Sequence, residues 1–388
     1  MGVNFKATAV INAMRSVLPK DKKTMALHEP VFSGNEWKYV KDCLDIGWVS
    51  SVGEYVDLFE RKLAEYAGVK KAVVVVNGTA ALHICLKLAG VQTNDEVLIP
   101  SFTFVATANA VVYCGAVPHF VDCEWSTLGI DAAKLDEYLS IATELRDDGC
   151  YNKATGRRIK ALVPMHTYGH PVEIDAVALV AKKYGIELVE DAAESLGSYY
   201  KGQHTGSWGK LSALSFNGNK IITTGGGGAI LTDDEDLAKL AKHLTTTAKI
   251  PHQWAFSHDM VGYNYRMPNI NAALGCAQLE ELPGFLAKKR SLALRYADAF
   301  RDVEGIRFFN EPDNASSNYW LNVLILDEAV AHERDTLLKS LADIGIAARP
   351  AWTLMHRLDM FVSCPRMDLS VAEAMEARVV NIPSGADL

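Results

Sequence analysis

Lys220 stands after a predicted strand, in the run Ser215–Lys220, which reads SFNGNK. A lysine amine can form a Schiff base with a carbonyl once it has lost its proton, and burial in apolar or cationic surroundings promotes that loss. Most lysines are exposed to solvent, so a surface lysine is the alternative interpretation of this position. Lys220 is therefore a candidate nucleophile, and its partners must come from other parts of the chain.

An acidic residue closes another apolar strand, in the run Val189–Glu194, which reads VEDAAE. Ligands of doubly wound sheets bind at the carboxyl ends of the strands, so Asp191 marks a candidate site. A carboxylate there can pair with a protonated pyridine nitrogen and let pyridoxal act as an electron sink. A helix N-cap is an equally good interpretation of Asp191, because a helical turn of small residues follows it.

Two further segments could hold an anion and an aromatic ring. Val76–Leu82 runs from a strand through Gly78 into a helix, which gathers free backbone N–H groups where an anion can bind. It lacks the Walker and GxGxxG spacings, so nucleotide hydrolysis and dinucleotide binding are poorly supported, and a plain strand-to-helix turn is the alternative. Pro100–Thr107 contains Phe102 and Phe104, of which one could stack on a cofactor ring while the other belongs to the core.

These segments need a scaffold that brings strand ends together. Between Tyr66 and Asp191, short β-branched runs alternate with helical stretches, as in a parallel sheet covered by helices. The runs are apolar throughout, which is typical of strands buried on both faces. The predicted strands are Ala72–Val76, Glu96–Pro100, Val117–Val121, Lys160–Met165, Ile186–Glu190, Leu211–Phe216 and Gly228–Thr232, and the predicted helices are Ala80–Ala89, Ala106–Cys114 and Ile174–Tyr184.

The pattern changes after Asn269, where amphipathic helices begin. The predicted elements there are the helices Ile270–Glu281, Phe285–Val303 and His332–Ile344 and the strand Trp320–Leu326. Pro283-Gly284 should end the first of these helices. We therefore predict an α/β protein with an N-terminal segment and large domain over 1–269, followed by linking helices and a smaller C-terminal α+β domain over 270–388.

Composition bounds the class of protein. The chain has 388 residues, of which 49% are hydrophobic and 22% charged, and this is the profile of a folded soluble protein. A formal charge of −8 argues against binding of nucleic acid or of an anionic membrane. Seven scattered cysteines without a CxxC pair indicate neither a disulfide framework nor a zinc site. We predict reduced cysteines and no metal.

The N-terminal run Met1–Lys23 has no continuous apolar stretch of the signal-peptide kind, and nothing later is long enough to span a membrane. Met1-Gly2 could begin a myristoylation motif, but Lys6 stands where that motif has Ser or Thr. We therefore predict a cytoplasmic protein with no membrane partner.

Taken together and in order, five segments resemble the DegT/DnrJ/EryC1/StrS family of nucleotide-sugar aminotransferases. The segments are Gly78–Leu82, Phe104–Thr107, Glu190–Glu194, Ser215-Phe216 with Lys220, and Gly262–Met267. They span nearly the whole chain, and five weak signals seldom arise separately in one order. The resemblance implies a fold-type-I, aspartate aminotransferase-like enzyme that uses pyridoxal 5′-phosphate in polysaccharide biosynthesis.

The resemblance also implies roles for individual residues. Lys220 matches the lysine that carries the cofactor as a Schiff base, Asp191 the partner of the pyridine nitrogen, and Phe104 the ring-stacking aromatic. The other matched positions are Gly78, Thr79 and Ser215 for the phosphate, Asn264 for the phosphate of a neighbouring subunit's cofactor, Glu194 for a polar side chain beside the cofactor, and His166 for a site histidine. The candidate substrate-binding residues are His166, Lys249 and Arg266. A homodimer with shared active sites is implied.

Two departures from the family pattern narrow the choice of substrate. Gly226 replaces a glutamate that is usual in the family, and Thr245–Lys249 replaces an Arg-x-His-Gly segment. With Arg349–Trp352 and Met355-His356, they resemble the subgroup of the legionaminic acid and N-acetylbacillosamine pathways. That subgroup implies transfer of an amino group from glutamate to carbon 4 of a UDP- or GDP-linked 2-acetamido-4-keto-6-deoxy sugar.

Several alternatives stay open at this point. The chain could aminate another nucleotide-linked keto sugar, as in perosamine formation, or it could be a catalytically silent sugar-nucleotide binding protein that kept the fold. A pyridoxal-dependent lyase acting on amino acids would need a carboxylate-binding arginine, and Arg349 could serve. A sugar dehydratase of the same family is disfavoured, because those members carry histidine where this chain has Lys220.

Overall fold

The structure is a computed structural model, and it describes residues 5–388. The helices of this part of the chain are α1 (Ala7–Val17), α2 (Glu36–Asp45), α3 (Glu54–Ala67), α4 (Gly78–Leu88), α5 (Val105–Tyr113), α6 (Ala132–Ala142), α7 (Ile174–Tyr184), α8 (Glu235–Thr245), α9 (Asn269–Ala299), α10 (Arg334–Asp343) and α11 (Ser370–Arg378). The strands are β1 (Lys71–Val75), β2 (Glu96–Pro100), β3 (Val117–Val121), β4 (Thr143–Arg146), β5 (Gly149–Asn152), β6 (Arg158–Leu162), β7 (Glu187–Asp191), β8 (Tyr199–Tyr200), β9 (Gln203–His204), β10 (Leu211–Ser215), β11 (Gly228–Thr232), β12 (Ile306–Phe308), β13 (Ala315–Ser316), β14 (Asn322–Leu326), β15 (Arg349–Pro350) and β16 (Val379–Ile382). Short 3₁₀ helices lie at Thr167–Gly169, Glu328–Glu333, Met355–Arg357 and Asp359–Phe361.

The main sheet has the strand order β1-β11-β10-β7-β6-β2-β3, with the β4–β5 hairpin attached to β6. The neighbours β10, β7, β6, β2 and β3 are parallel, whereas β11 runs antiparallel between β1 and β10. Strands β2, β7 and β10 bury side chains on both faces, which explains their continuous apolar sequences. The predicted α/β class with a mostly parallel sheet is confirmed.

Strands β1, β2, β7 and β10 all end at one edge of the main sheet. β1 and β10 run in the same direction because each is antiparallel to β11 between them, and β7 is parallel to β10, with Ala213 opposite Asp191. Helices α4 and α5 begin just after β1 and β2, so their amino termini open on the same edge. Asn77 caps α4 by accepting the N–H of Ala80 at 2.8 Å.

A second, antiparallel sheet of order β12-β14-β16-β15 lies in the C-terminal part, and β8, β9 and β13 form a third, small sheet. The N-terminal helix α1 packs with the second sheet: Val10 and Met14 share a buried cluster with Tyr296 of α9 and Leu324 of β14. The apolar face of α1 therefore packs against elements that follow residue 268, although α1 itself belongs to the N-terminal segment. The division into 1–269 and 270–388 remains a prediction.

The predicted helix break at Pro283 is wrong, because α9 is one continuous helix of 31 residues that includes Pro283. A proline removes one helical hydrogen bond and crowds the preceding turn. Pro283 and Gly284 are exposed, whereas Leu282 and Phe285 are buried and hold the helix on both sides of the exposed pair. Neither α9 nor any other helix within residues 5–388 is long and apolar enough to cross a membrane.

Candidate active site

A cavity of about 340 Å³ lies at the carboxyl edge of the main sheet. It brings together seven of the residues predicted from the sequence, namely Gly78, Thr79, Phe104, Asp191, Glu194, Ser215 and Lys220. The rest of its wall is Asn77, Leu82, Ala106, Thr107, Met165, Ala193, Asn217, Asn219, Trp320 and Trp352. The strand ends therefore converge on one site, as expected for an open parallel sheet.

Lys220 reaches this cavity from the turn that follows β10, where its N–H bonds to the carbonyl of Asn217 at 3.0 Å. Its amine lies 3.2 Å from Oε1 of Glu194 and 3.9 Å from the centroid of the Trp320 ring, and its side chain is only 13% exposed. The indole N–H of Trp320 also donates to the carbonyl of Asn219 at 2.7 Å. Trp320 thus fixes both the turn and the amine that projects from it.

Asp191 is the last residue of β7, and its carboxylate is buried. One oxygen accepts the hydroxyl of Thr107 at 2.7 Å, and the other accepts the N–H of Ala193 at 3.2 Å. Burial raises the pKa of this carboxyl, and the hydrogen bond from Thr107 opposes that shift. A buried carboxylate of this kind favours a nearby positive charge, such as a protonated ring nitrogen.

The preceding residue, Glu190, points to the opposite face of the sheet because side chains alternate along a strand. Its carboxylate accepts three backbone N–H groups, from Gly206, Trp208 and Gly209, and lies 3.0 Å from Nε2 of His166. Burial acts to raise the pKa of Glu190, but these hydrogen bonds outweigh it and hold the pKa below its ordinary value. The structure therefore places His166 in a buried polar network and not on the cavity wall.

Glu194 faces Lys220 from the turn after β7. Its second oxygen, Oε2, accepts the N–H of Tyr168 at 2.9 Å. Burial raises the pKa of Glu194 to about 7, and the charge of Lys220 acts in the opposite direction. Glu194 can therefore change its protonation state near neutral pH.

One end of the cavity is shaped to bind a small anion. Gly78 and Thr79 form the first turn of α4, where backbone N–H groups have no partner inside the helix. A Cβ atom at Gly78 would lie 2.9 Å from Cβ of Ser215, so only glycine lets the helix start and the end of β10 come this close. A Cβ at Gly228 would likewise meet the carbonyl oxygen of Asn77 at 2.6 Å. The turn, with hydroxyls from Thr79 and Ser215, makes a compact phosphate cradle.

Aromatic side chains form another wall of the cavity. Phe104 is 49% exposed, although it is a large apolar residue, and it lies on the cavity surface. Its ring centroid is 6.4 Å from that of Trp352, which packs in turn against Tyr168 at 4.8 Å. Phe102 is fully buried beside them, so Phe104 is the phenylalanine that can cover a bound ring.

Three other predicted residues lie outside the cavity. Asn264 is exposed, as is Lys249, whose amine sits 4.1 Å from the centroid of the Phe256 ring. Arg266 lies beside the end of β1, where its backbone bridges to Val75, and its Nε is buried. The roles of these three residues remain predictions.

The two departures from the family pattern have structural counterparts. An added Cβ at Gly226 would find its nearest neighbour, the carbonyl oxygen of Val76, at 3.9 Å, so a side chain would fit there and this chain leaves the space open. The segment Thr245–Lys249 ends α8 with two residues in the left-handed region, Thr247 at φ 64° and Ala248 at φ 51°. The chain therefore leaves the helix in a turn after Thr245 and does not continue α8.

Sequence reasoning missed two tryptophans of the site. Trp320 is the first residue of the predicted strand Trp320–Leu326, and Trp352 has no predicted role, although both lie in segments rich in apolar residues. A tryptophan at the first position of a predicted strand is a weak signal for a site residue. Thr107 and Asn217 also line the cavity, and they lie within the predicted site segments Pro100–Thr107 and Ser215–Lys220.

The fold and the convergent site define a pyridoxal-phosphate-dependent transferase of the aspartate aminotransferase-like class. More narrowly, the chain belongs to the DegT/DnrJ/EryC1/StrS aminotransferase family, whose sequence profile matches residues 31–388.

Curated relatives and solved structures agree with this assignment. The chain is 37% identical to the GDP-perosamine synthase of Caulobacter vibrioides over 371 residues, which cover 95% of each chain. It is 36% identical to the GDP-perosamine synthase of Escherichia coli O157:H7, with 93% of each chain covered. The aminotransferase TlmJ from Streptoalloteichus hindustanus superposes with a TM-score of 0.85 at 28% identity, with 94% of each chain covered. The predicted sugar aminotransferase class is confirmed.

The residues of the cavity fit pyridoxal phosphate, the cofactor of this family. The close approach of Gly78 to Ser215 makes room for a phosphate group at the start of α4. Asp191 supplies a buried negative charge, Lys220 a primary amine, and Phe104 an exposed aromatic face. The cradle would bind the phosphate, Asp191 the ring nitrogen, Lys220 the aldehyde and Phe104 the face of the ring.

Proposed function

We propose that this enzyme transfers an amino group from glutamate to carbon 4 of a nucleotide-linked 4-keto-6-deoxy sugar. The observation that carries the proposal is the convergence of Lys220, Asp191 and the phosphate cradle on one cavity. The GDP-perosamine synthases among its relatives support a GDP-linked, perosamine-type product. The retained lysine and carboxylate argue against a catalytically silent binding protein.

Pyridoxal phosphate, when bound, supplies an electron sink for negative charge on the reacting carbon. Lys220 then has two tasks, which are to bind the cofactor and, once released, to move a proton at the carbon of the donor or of the sugar. Asp191 holds positive charge at the ring nitrogen. Gly78, Thr79 and Ser215 bind the phosphate and so fix the position of the ring in the cavity.

A 2-acetamido sugar is the second candidate substrate. The open space at Gly226, where an added Cβ would have no neighbour closer than 3.9 Å, could accept a bulky substituent of the sugar. The Thr245–Lys249 segment also favours this candidate, because its departure from the family pattern resembles the subgroup that acts on 2-acetamido sugars. Both substrates carry a keto group at carbon 4, so the chemistry at Lys220 is the same for either.

Incubation with glutamate and each of four 4-keto-6-deoxy sugars, on GDP or UDP and with a 2-hydroxyl or 2-acetamido group, tests the substrate. Mass spectrometry detects the amino sugar, and the visible spectrum records whether glutamate alone converts the cofactor to its amino form. Turnover of the GDP-linked 2-hydroxyl sugar supports the first candidate, and turnover of a 2-acetamido sugar supports the second. Failure with glutamate and all four sugars would reject the proposal.

The active enzyme is proposed to be a homodimer in which Asn264 of one chain reaches the phosphate of its partner's cofactor. Asn264 lies on an exposed segment that also carries Trp254, Phe256 and Val261, which are 74%, 81% and 84% exposed. Apolar side chains this exposed are typical of an interface. Light scattering at assay concentration measures the oligomer, and an inactive Lys220→Ala chain mixed with an inactive Asn264→Ala chain should regain activity through one complete site.

A further inference from the structure

Glu194 is held in one orientation by its two carboxylate oxygens. Oε2 accepts the N–H of Tyr168 at 2.9 Å, and Oε1 lies 3.2 Å from the amine of Lys220. The Glu194 side chain is only 2% exposed, so solvent water does not compete freely for either oxygen. The oxygen that faces Lys220 is therefore the one left free to exchange a proton.

The backbone that anchors Glu194 adopts a conformation that is rare for a side-chain-bearing residue. Tyr168 has φ 56° and ψ 16°, in the left-handed region, which costs about 1 kcal/mol or more. Its fully buried ring packs against Phe102 and Trp352, with centroids 6.1 and 4.8 Å apart, and these contacts hold the residue in place. The conformation directs the Tyr168 N–H at Glu194.

Few other groups around Lys220 can take its proton. Asp191 already accepts hydrogen bonds from Thr107 and Ala193 at both oxygens. Burial, together with the charges of Lys289 and Lys220, holds the pKa of His28 well below its ordinary value, so that ring is neutral. A neutral His28 could accept a proton only at a large cost, since desolvation disfavours its charged form.

We propose that Glu194 is the base that accepts the proton Lys220 must lose before its amine attacks a carbonyl. In this step an Nζ–H bond of Lys220 breaks and an O–H bond forms at Oε1 of Glu194, which leaves a neutral amine and a neutral carboxylic acid. The proton returns by the same path when the amine is released. The inference rests on the role of Lys220 under the proposed function.

A second lysine–glutamate pair provides a matched control. Glu60 accepts the N–H of Val74 at 3.1 Å through one oxygen and pairs with Lys242 at 2.6 Å through the other. Burial raises the pKa of Glu60 as well. This pair lies outside the cavity and is more exposed, but it shares the arrangement of one oxygen on a backbone N–H and the other on a lysine.

The test measures how fast the full-length, cofactor-depleted protein binds added pyridoxal phosphate covalently between pH 5.5 and 9. Borohydride traps the bound cofactor, and intact mass spectrometry counts it. Burial raises the pKa of Glu194 to about 7, so the wild-type rate should fall as the pH drops through 7. Glu194→Gln keeps an acceptor for Tyr168 but cannot take a proton, so its rate should fall about 100-fold and lose this inflection.

Two further variants make the result decisive. Glu194→Asp keeps a carboxylate and should restore an inflection, which a purely structural role of Glu194 would not require, and Glu60→Gln should keep the wild-type profile. A Glu194→Gln protein with the wild-type rate and inflection would overturn the role of Glu194. Covalent labelling of Lys220→Ala would instead overturn the assignment of the lysine, so the two failures are distinguishable. Thermal midpoints verify that each variant is folded.

Discussion

Lys220 and Lys289 are both withdrawn from solvent, but their surroundings differ. Lys220 opens on the cavity with a carboxylate 3.2 Å from its amine. Lys289, on α9, is fully buried, and its amine donates to the backbone carbonyls of Trp320, at 3.2 Å, and of Ser384. Within residues 5–388, no carboxylate lies within ion-pair distance of Lys289. One lysine is thus arranged to react and the other to tie two chain segments together.

The two regions should also respond to pH in opposite ways. Burial raises the pKa of Glu194 and lowers that of Lys289, each to about 7. Between the ordinary pKa of Glu194 and 7, the folded protein binds more protons than the unfolded one, so the free energy of unfolding falls as the pH rises. Between 7 and the ordinary pKa of Lys289, the unfolded protein binds more protons, so the free energy of unfolding rises. Titration of Glu194 therefore lowers the free energy of unfolding as the pH rises towards 7, and titration of Lys289 raises it again above 7.

Lys220→Ala should give the largest effect on catalysis. We expect loss of the visible absorption band, of borohydride-trapped cofactor and of transamination, because no other amine lines the cavity among the described residues. The thermal midpoint verifies that the variant is folded, because loss of the amine leaves the buried Glu194 carboxyl without its charged partner. Lys242→Ala, which removes a lysine of similar pairing outside the site, should keep the band. Cofactor bound covalently to the Lys220→Ala protein would show that the comparison rests on the wrong lysine.

Asp191→Asn should lower kcat by about 100-fold, because the amide cannot hold positive charge at the ring nitrogen. The amide oxygen can still accept the hydroxyl of Thr107, so the fold should be retained. The matched variant on the other face of the strand is Glu190→Gln, which disturbs three backbone hydrogen bonds and should lower the thermal midpoint. Steady-state kinetics and thermal unfolding separate the two effects. A normal kcat for Asp191→Asn would contradict this assignment.

Much of the site could be predicted because it follows directly from local sequence. Asp191 and Ser215 each end an apolar strand, and Gly78 begins a helix just after one. In a parallel sheet such positions share one edge, so the order of the motifs is enough to bring them together. The distances between these residues and the protonation of Asp191 could not be predicted, since they depend on how the folded chain packs around and buries each group.

The remaining features depend on contacts between distant parts of the chain. Trp320 and Trp352 reach the cavity only because the C-terminal part packs over the strand ends, and no local pattern encodes that placement. His166 follows Met165, which lines the cavity, but its own ring is buried against Glu190 and does not reach the cavity. Burial of Leu282 and Phe285 against Phe59 and its neighbours keeps α9 continuous through Pro283, against the local preference of proline. Lys289 gives no sequence signal, because its partners are backbone carbonyls.

Gly78→Ala should weaken cofactor binding about tenfold, which corresponds to about 1.4 kcal/mol. The new Cβ would lie 2.9 Å from Cβ of Ser215, so the start of α4 must shift away from β10 and open the phosphate cradle. Fluorescence or absorbance titration with pyridoxal phosphate measures the affinity. Gly218→Ala provides the control, because an added Cβ there meets no atom within 4 Å. An unchanged affinity for Gly78→Ala would mean that the phosphate binds elsewhere.

Lys289→Met should have the smallest effect on catalysis and should act instead on stability. Methionine fills a similar volume without a charge, so the variant removes the proton linkage of the buried amine but leaves the carbonyls of Trp320 and Ser384 without their donor. Between pH 7 and 9 the wild-type free energy of unfolding should rise, relative to the variant, by up to about 1.4 kcal/mol per pH unit. Urea unfolding of both proteins at several pH values measures this slope. Parallel pH profiles would show that Lys289 stays charged in the folded protein, and the contrast between the two lysines would then lie in their partners alone.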